Sequence, residues 1–225
     1  MEPTKSGLPN PNLPLYRQIA AQDVPLIFFH AYYPEMPFPQ VTLDDKAAGK
    51  LATLRLIKAG HRNIAGIFQS DDRQGHLRYA GYLEALLENG ILLNAKRVLW
   101  FATEDIPALY EDEKRINERL RDVSAVICYN DQIAAGLLGF LHRHGRKVPQ
   151  EISVISVGNS GLAEFCEPPL TSVNHPKEIL GKVVAENLMK KIQQPGFDAT
   201  VDFEAKLVER QSVLPYNETN RDFEP

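Results

Sequence analysis

Residues Val41 to Gly90 read VTLDDKAAGKLATLRLIKAGHRNIAGIFQSDDRQGHLRYAGYLEALLENG, and the reading of this stretch decides the fold. A short apolar run ends at Asp44-Asp45. A helical pattern follows, with Ala48, Leu51, Ala52, Leu54, Leu56 and Ile57 crowding one side. Gly60 stands where an αL-tolerant residue ends a helix. An apolar strand, Ile64 to Phe68, then opens into a polar loop, and a second amphipathic helix stops at Gly90. In open α/β sheets, ligands bind outside the carboxyl ends of such strands. The stretch therefore points to a small-molecule cleft.

The same alternation continues on both sides. Strand-like runs lie at Pro25–Phe29, Ile64–Phe68, Val98–Phe101, Val123–Tyr129 and Ile152–Val157. Helical patterns cover 46–59, 75–89, 106–120 and 131–144. A further helix, Lys177–Gln193, follows His175-Pro176, where proline suits a first turn. This alternation predicts an α/β fold of parallel sheets with helices on both faces. Thr200 to Val213 reads as extended, and residues beyond Leu214 read as a disordered tail. The first helical pattern, Leu15–Ala21, has no strand before it. Its Pro- and Asn-rich lead-in resembles a loop that follows a strand, so the chain is expected to begin partway through a larger domain.

Composition narrows the function classes. The chain has 225 residues, 44% hydrophobic and 24% charged, with a formal net charge of −4. A chain of that charge is poorly suited to grip DNA, because phosphate neutralisation needs clustered Lys and Arg. The basic run His142-Arg143-His144-Gly145-Arg146-Lys147 ends a helical pattern, where cations suit the helix dipole. Cys128, in the apolar AVICY run, reads as a buried small hydrophobe, and its spacing from Cys166 suggests neither a disulfide framework nor a zinc site. The N-terminal MEPTKSGLPNPN is too polar for a secretory signal. No apolar run reaches the roughly 18 residues of a membrane span. A cytoplasmic protein is expected, and Asn217-Glu218-Thr219 is then a glycosylation acceptor by chance only.

Four loops at strand ends carry polar groups: His30, Tyr32 and Tyr33; Asp71, Asp72 and Gln74, with Arg78 on the next helix; Asn130-Asp131; and Gly158-Asn159-Ser160. With parallel strands they converge on one rim. Asn, Asp and Arg can hydrogen-bond neighbouring hydroxyls in one plane, and Tyr33 or Phe101 can lie against the C–H face of a sugar ring. The ordinary readings stand beside these: Asn130 or Asp131 as helix N-caps, Asp71 and Asp72 as turn residues, Arg78 as a solvated helix residue. No GxGxxG, P-loop or HExxH is present, and Gly158-Asn159-Ser160-Gly161-Leu162 has Leu162 where a nucleophile elbow needs glycine. The six histidines show no metal-ligand spacing. No enzyme, metal or cofactor is expected.

These segments, in order, resemble the effector-binding domain of LacI/GalR-type transcriptional regulators. The resemblance rests on VTLDDKAAGKLATLRLIKAGHRNIAGIF with Arg78-Tyr79-Ala80-Gly81-Tyr82, on AVICYNDQIAAGLLGFLHRHGRKVPQEISVISV, and on PPLTSVNHP, and it spans roughly 25 to 213. Within that family TLDD, GIFQSDDRQG, ICYND and LTSVNHPKEILGK are most similar to L-arabinose-sensing members, which carry a GntR-type winged-helix head. The resemblance implies a periplasmic-binding-protein-like fold, two Rossmann-like subdomains around a sugar cleft. The N-terminal subdomain, residues 1–43 and 174–201, would be partial. The C-terminal one would be 44–173 and 202–213, with a tail over 214–225 and crossings near 43–44, 173–174 and 201–202.

By the same resemblance, Arg78 and Asn130 contact the sugar, His30 and His175 supply polar positions, and Phe101 or Trp100 is the aromatic. Gln74 and Asp72 lie in the arabinose-type loop. The implied function is a sugar-sensing domain of a bacterial repressor, with L-arabinose or a related pentose as effector. Operator DNA would be reached only through a head absent from this chain, a homodimer is expected, and no membrane is involved. A transport-type sugar-binding protein of the same fold is the alternative. Arg78→Ala is expected to weaken sugar binding with folding nearly intact. Where the family has Gly-Tyr-Asp-Asp, this chain has Ser156-Val157-Gly158-Asn159, so Gly158 replaces an expected sugar-binding carboxylate. The helix at 131–144 and the loop after Gly158 are expected to face a partner subunit.

Overall fold

The computed structural model of the chain describes residues 12–216. The lead-in over 1–11, most of the expected tail and Asn217-Glu218-Thr219 lie outside the described residues. In chain order the elements begin with α1 (Leu13–Ala21), β1 (Phe28–Phe29), β2 (Gln40–Leu43), α2 (Asp45–Lys58), β3 (Ile64–Gln69) and α3 (Arg73–Glu88). Then come β4 (Val98–Phe101), α4 (Glu113–Leu120), β5 (Ala125–Cys128), α5 (Asp131–Arg143) and β6 (Ser153–Gly158). The last are α6 (Gly161–Phe165), β7 (Thr171–Asn174), α7 (Lys177–Gln193), β8 (Val201–Phe203) and β9 (Lys206–Val208).

They build two sheets. A parallel three-stranded sheet has the order β1-β2-β8, and a six-stranded sheet has the order β4-β3-β5-β6-β7-β9, in which only β9 runs antiparallel, against β7. The expected α/β class with parallel sheets and two subdomains is what the chain adopts. The strand order reverses between β3 and β5, because the chain leaves β3 outward to β4 and returns on the other side. In open α/β sheets such a reversal marks the place where a crevice forms, here outside the carboxyl ends of β3 and β5. One apolar cluster on the six-stranded sheet includes Phe101, Ile116, Leu137 and Phe140. A second includes Leu56, Phe68, Tyr82 and Leu86. Each such fully buried side chain contributes about 1.5–3 kcal/mol.

Local chemistry sets the helix limits. Asp44 caps α2, its side chain accepting from the Ala47 amide at 2.8 Å. At the other end Gly60 takes φ +93°, and the Gly60 and His61 amides return to the Ile57 and Leu56 carbonyls at 2.9 and 3.2 Å, which closes the helix as a Schellman turn. The chain passes between subdomains three times: from β2 into α2, from β7 into α7, and from β8 to β9. The third crossing falls at 204–205 and not at 201–202, because β8 stays on the three-stranded sheet to Phe203. The single helix read over 106–120 is two pieces. A 3-10 segment, Thr103–Ala108, contains Pro107, and Asp112 starts α4 by accepting from the Arg115 amide at 3.0 Å. The strand read over 25–29 is confined to Phe28–Phe29.

Helices α2 and α3 approach so closely that their glycines carry the contact. A Cβ on Gly49 would lie 2.2 Å from the Arg78 carbonyl oxygen, and one on Gly81 would lie 2.0 Å from the Lys46 carbonyl oxygen. Backbone cannot yield at those distances. We expect Gly81→Ala to lower the unfolding free energy in urea by about 1–3 kcal/mol or more. Gly181→Ala, in α7 with nothing within 4 Å of the new carbon, should instead raise it by up to about 1 kcal/mol. Equal responses at the two positions would show that the helices are not in contact there.

Candidate functional site

The α2–α3 contact brings two charged residues together at the crevice. Asp45, in the first turn of α2, is 2% exposed, and Arg78, one turn into α3, is 4% exposed. Arg78 Nε and Nη2 reach the same oxygen, Asp45 Oδ1, at 2.8 and 2.7 Å, and Nη1 donates to the Tyr129 carbonyl at 2.6 Å. The guanidinium lies over the Tyr129 ring, 4.6 Å from its centroid. Burial raises the pKa of Asp45 against the pull of Arg78. Burial also works against the charge on Arg78, but Asp45, Tyr129 and Asp72 together more than offset it and raise its pKa, so Arg78 stays a cation. Gln74 Nε2 donates to the other oxygen, Asp45 Oδ2, at 3.1 Å.

Asp72 ties this pair to β5. Its Oδ1 caps α3 through the Gly75 amide at 2.6 Å, and its Oδ2 accepts from the Tyr129 hydroxyl. Burial raises its pKa, opposed by those bonds. Gly75 is needed at this cap because a Cβ there would lie 2.0 Å from the Gln69 carbonyl oxygen. Beside it, Asp71 accepts from the Thr103 amide and from Gln69 Nε2. These bonds hold its pKa below the usual carboxylate range despite burial.

At the end of β5, Asn130 caps α5 with its Oδ1, which accepts from the Ile133 amide at 3.0 Å. Its amide nitrogen has no protein partner among the described residues and stays available as a donor. Next to it, Asp131 is buried and fully used. Oδ1 accepts from the Ser156 and Ser172 hydroxyls at 2.6 and 2.8 Å, and Oδ2 from the Ser160 amide and hydroxyl at 2.6 and 2.7 Å. Gly158, at φ +141°, faces this carboxylate, and a Cβ there would lie 2.8 Å from Asp131 Oδ2. The chain thus keeps a carboxylate at the ends of β5 and β6, carried by Asp131 and caged by serines, and leaves position 158 bare to admit it.

Two further contacts involve the segment after β1, one with the crossing from β7 into α7 and one with the start of α3. His30 Nδ1 lies 3.2 Å from His175 Nε2 with ring centroids 4.9 Å apart, and His30 holds a left-handed φ of +63° to make the contact. Arg73, the first residue of α3, stacks its guanidinium on the Tyr32 ring, 4.9 Å from the centroid. Among the described residues, the buried side-chain nitrogens without a hydrogen-bond partner are Arg73 Nε and His175 Nδ1. Both belong to these two contacts. Burial, followed by the charges of His30, Arg78 and Lys177, lowers the pKa of His175 to about 3.

Of the residues singled out in the sequence, Arg78, Gln74 and Asp72 form one bonded cluster, and His30 meets His175 on the crossing from β7 into α7. Asn130 directly follows Tyr129, to which Arg78 and Asp72 bond. Two others are not brought there. Phe101 is 1% exposed, in the core, edge-on to Tyr129. Tyr33 packs against Tyr16 and Phe28 beneath the three-stranded sheet. Trp100 lies against Tyr79 and His76. Asp131, read as a possible helix N-cap, is instead the acceptor for three serines, and Asp45, Tyr129 and Arg73 carried no role in the sequence reading. The adjacency of Asp44 and Asp45 at a helix start was the available signal for Asp45, since one carboxylate suffices for a cap. Arg78 is not a solvated helix residue, and the expectation that Arg78→Ala leaves folding nearly intact is corrected, because removal strands the buried Asp45 carboxylate.

A model of the periplasmic binding protein-like domain matches residues 53–213. The chain is 34% identical over 221 residues to an arabinose metabolism transcriptional repressor of Halalkalibacterium halodurans, covering 95% of this chain and 59% of that protein. The protein of the same name from Geobacillus stearothermophilus is 34% identical over 218 residues, covering 95% and 60%. Among solved structures, a complex of the transcriptional regulator CelR with cellobiose aligns with a TM-score of 0.79 at 31% identity, over 88% of this chain and 62% of that one. The chain spans about three-fifths of the length of these relatives.

Two outcomes follow from the geometry. Arg78→Ala should destabilise the chain by about 3–5 kcal/mol in denaturant unfolding, as loss of one partner of a buried ion pair does; a loss under about 1 kcal/mol would place the pair in water. The second concerns acid. Unfolded His175 takes up a proton near the ordinary imidazole value of 6.5, whereas the folded group waits until about 3. Its contribution to stability is therefore whole above pH 6.5 and is lost progressively as pH falls toward 3. His175→Asn should flatten the decline in Tm between about pH 7.5 and 4.5; an unchanged slope would contradict this.

Proposed function

The chain belongs to the periplasmic binding protein-like domain family, and from that premise we propose that it is the effector-sensing part of a sugar-responsive bacterial transcriptional repressor, with L-arabinose or a related pentose as effector. The observation that carries this reading is the placing of polar side chains between two parallel-sheet subdomains at a strand-order reversal. The two relatives named for arabinose metabolism support the pentose. The carboxylates of Asp45, Asp72 and Asp131 are each committed to protein donors, which suits binding and not turnover. Asn130 and His175 offer the groups a polyol can use.

The mechanism is a shift between two arrangements of the subdomains. A sugar held by both sides favours the closed one through its unequal affinity for the two states. Operator DNA would be released as the heads of a dimer lose their spacing. Those heads would be winged helices outside this chain, whose charge of −4 is unsuited to phosphate contacts. The partner subunit would meet α5 and α6, where Phe165 is 86% exposed and Leu162 44% exposed. A cytoplasmic location accords with this role, and among the described residues no helix is long and apolar enough to cross a membrane.

Asn130→Asp separates ligand binding from folding, because aspartate caps a helix as well as asparagine but cannot donate. In calorimetry with L-arabinose this variant should fold as the parent and bind at least about tenfold more weakly. Undiminished affinity would remove Asn130 from the site, and no binding of any pentose by the parent would overturn the effector assignment.

A further inference from the structure

Arg73 is a cation in an unfavourable place. It opens α3, where the helix dipole is positive, and among the described residues no carboxylate answers it. Its neighbours are already engaged: Asp72 with the Gly75 amide and the Tyr129 hydroxyl, Asp71 with Gln69 and Thr103. Its Nε is buried without an acceptor. Helix stability therefore does not explain the residue. What it does is reach the other subdomain, laying its flat face on Tyr32 at 4.9 Å, and Tyr32 is itself backed by the apolar cluster of Tyr16 and Phe28.

We propose that Arg73 and Tyr32 form a clamp that makes closure of the two subdomains depend on ligand. With the subdomains apart, the guanidinium is hydrated. With them together, the stack on Tyr32 forms but Nε–H loses its water, and a buried donor left unmet opposes that state. An acceptor oxygen of a bound polyol removes the opposition. Closure is then disfavoured when the crevice is empty and favoured when it is filled, which is the differential affinity a sensor needs. Arg73 is on this account a positioning and specificity-determining residue. The inference rests on the sugar-sensing reading for its ligand, while the Arg73–Tyr32 coupling is a property of the chain alone.

The test uses the full chain with L-arabinose as probe, following affinity by calorimetry and compaction by small-angle scattering. Arg73→Lys, which loses the planar donor, and Tyr32→Ala should each weaken binding about tenfold and diminish the sugar-dependent compaction. Tyr32→Phe, which keeps the ring, should recover most of what Tyr32→Ala loses. The double variant should lose little more than either single one, because the two residues act through one contact. Single variants that bind and compact as the parent does, or strictly additive losses, would overturn the clamp. Thermal unfolding of the parent, Arg73→Lys, Tyr32→Ala and the double variant without sugar supplies the independent arm. Non-additive Tm shifts are expected there even if the parent binds no pentose, an outcome that would sink the sugar reading alone, and additive shifts would sink the clamp whatever the ligand.

Discussion

The buried ion pair between Asp45 and Arg78 is the constraint on which the crevice depends. Asp45 starts the helix that leaves one crossing between the subdomains, and Arg78 lies on the helix that follows β3. They can meet only because Gly49 and Gly81 let those helices touch backbone to backbone. Once formed, the pair fixes more than itself. Arg78 pins the Tyr129 carbonyl and ring, Tyr129 holds Asp72, Asp72 caps α3, and Asp45 holds Gln74. Packing, capping and the polar lining of the crevice are one network, so a change at any member is felt at the strand ends.

A second network does similar work at β5 and β6. Three serines supply four hydrogen bonds to Asp131, which satisfies both oxygens of this buried side chain. Gly158 is the counterpart of that cage, since any side chain there would press on Asp131. Asp131 belongs to the ICYND segment, so its carboxylate stands beside the Ser156-Val157-Gly158-Asn159 departure and does not replace the group missing at Gly158. The Asn130 amide nitrogen, beside Asp131 at the end of β5, remains a donor there.

Much of this was legible in the residue order. The β-loop-α reading of 41–90 and the glycine helix stops follow from period and cap chemistry, which act over a few residues, whereas a role for Arg78 at the ligand came only from the family resemblance, since spacing alone favoured a solvated helix residue. What was not legible depends on contacts between distant segments. Nothing near Phe101 tells that its ring turns into the core while Tyr129 lies under the guanidinium, because alternation in a strand does not say which face meets the cleft. The break in 106–120 was marked by Pro107 and Asp112, yet apolar spacing outweighed them. The burial of Arg78 followed from its α2 partner, a residue 33 positions away, and Arg73 gained meaning only from Tyr32 on the other subdomain.

The central claim is that these strand ends form a pentose site between the subdomains. A crystal structure of the chain grown with L-arabinose tests it most directly. The account predicts sugar density in the crevice, with oxygens about 2.7–3.2 Å from Asn130 Nδ2 and His175 Nδ1 and the Asp45–Arg78 pair intact behind them. Sugar bound away from the β3 and β5 ends, or a crevice holding only water at saturating sugar, would contradict it.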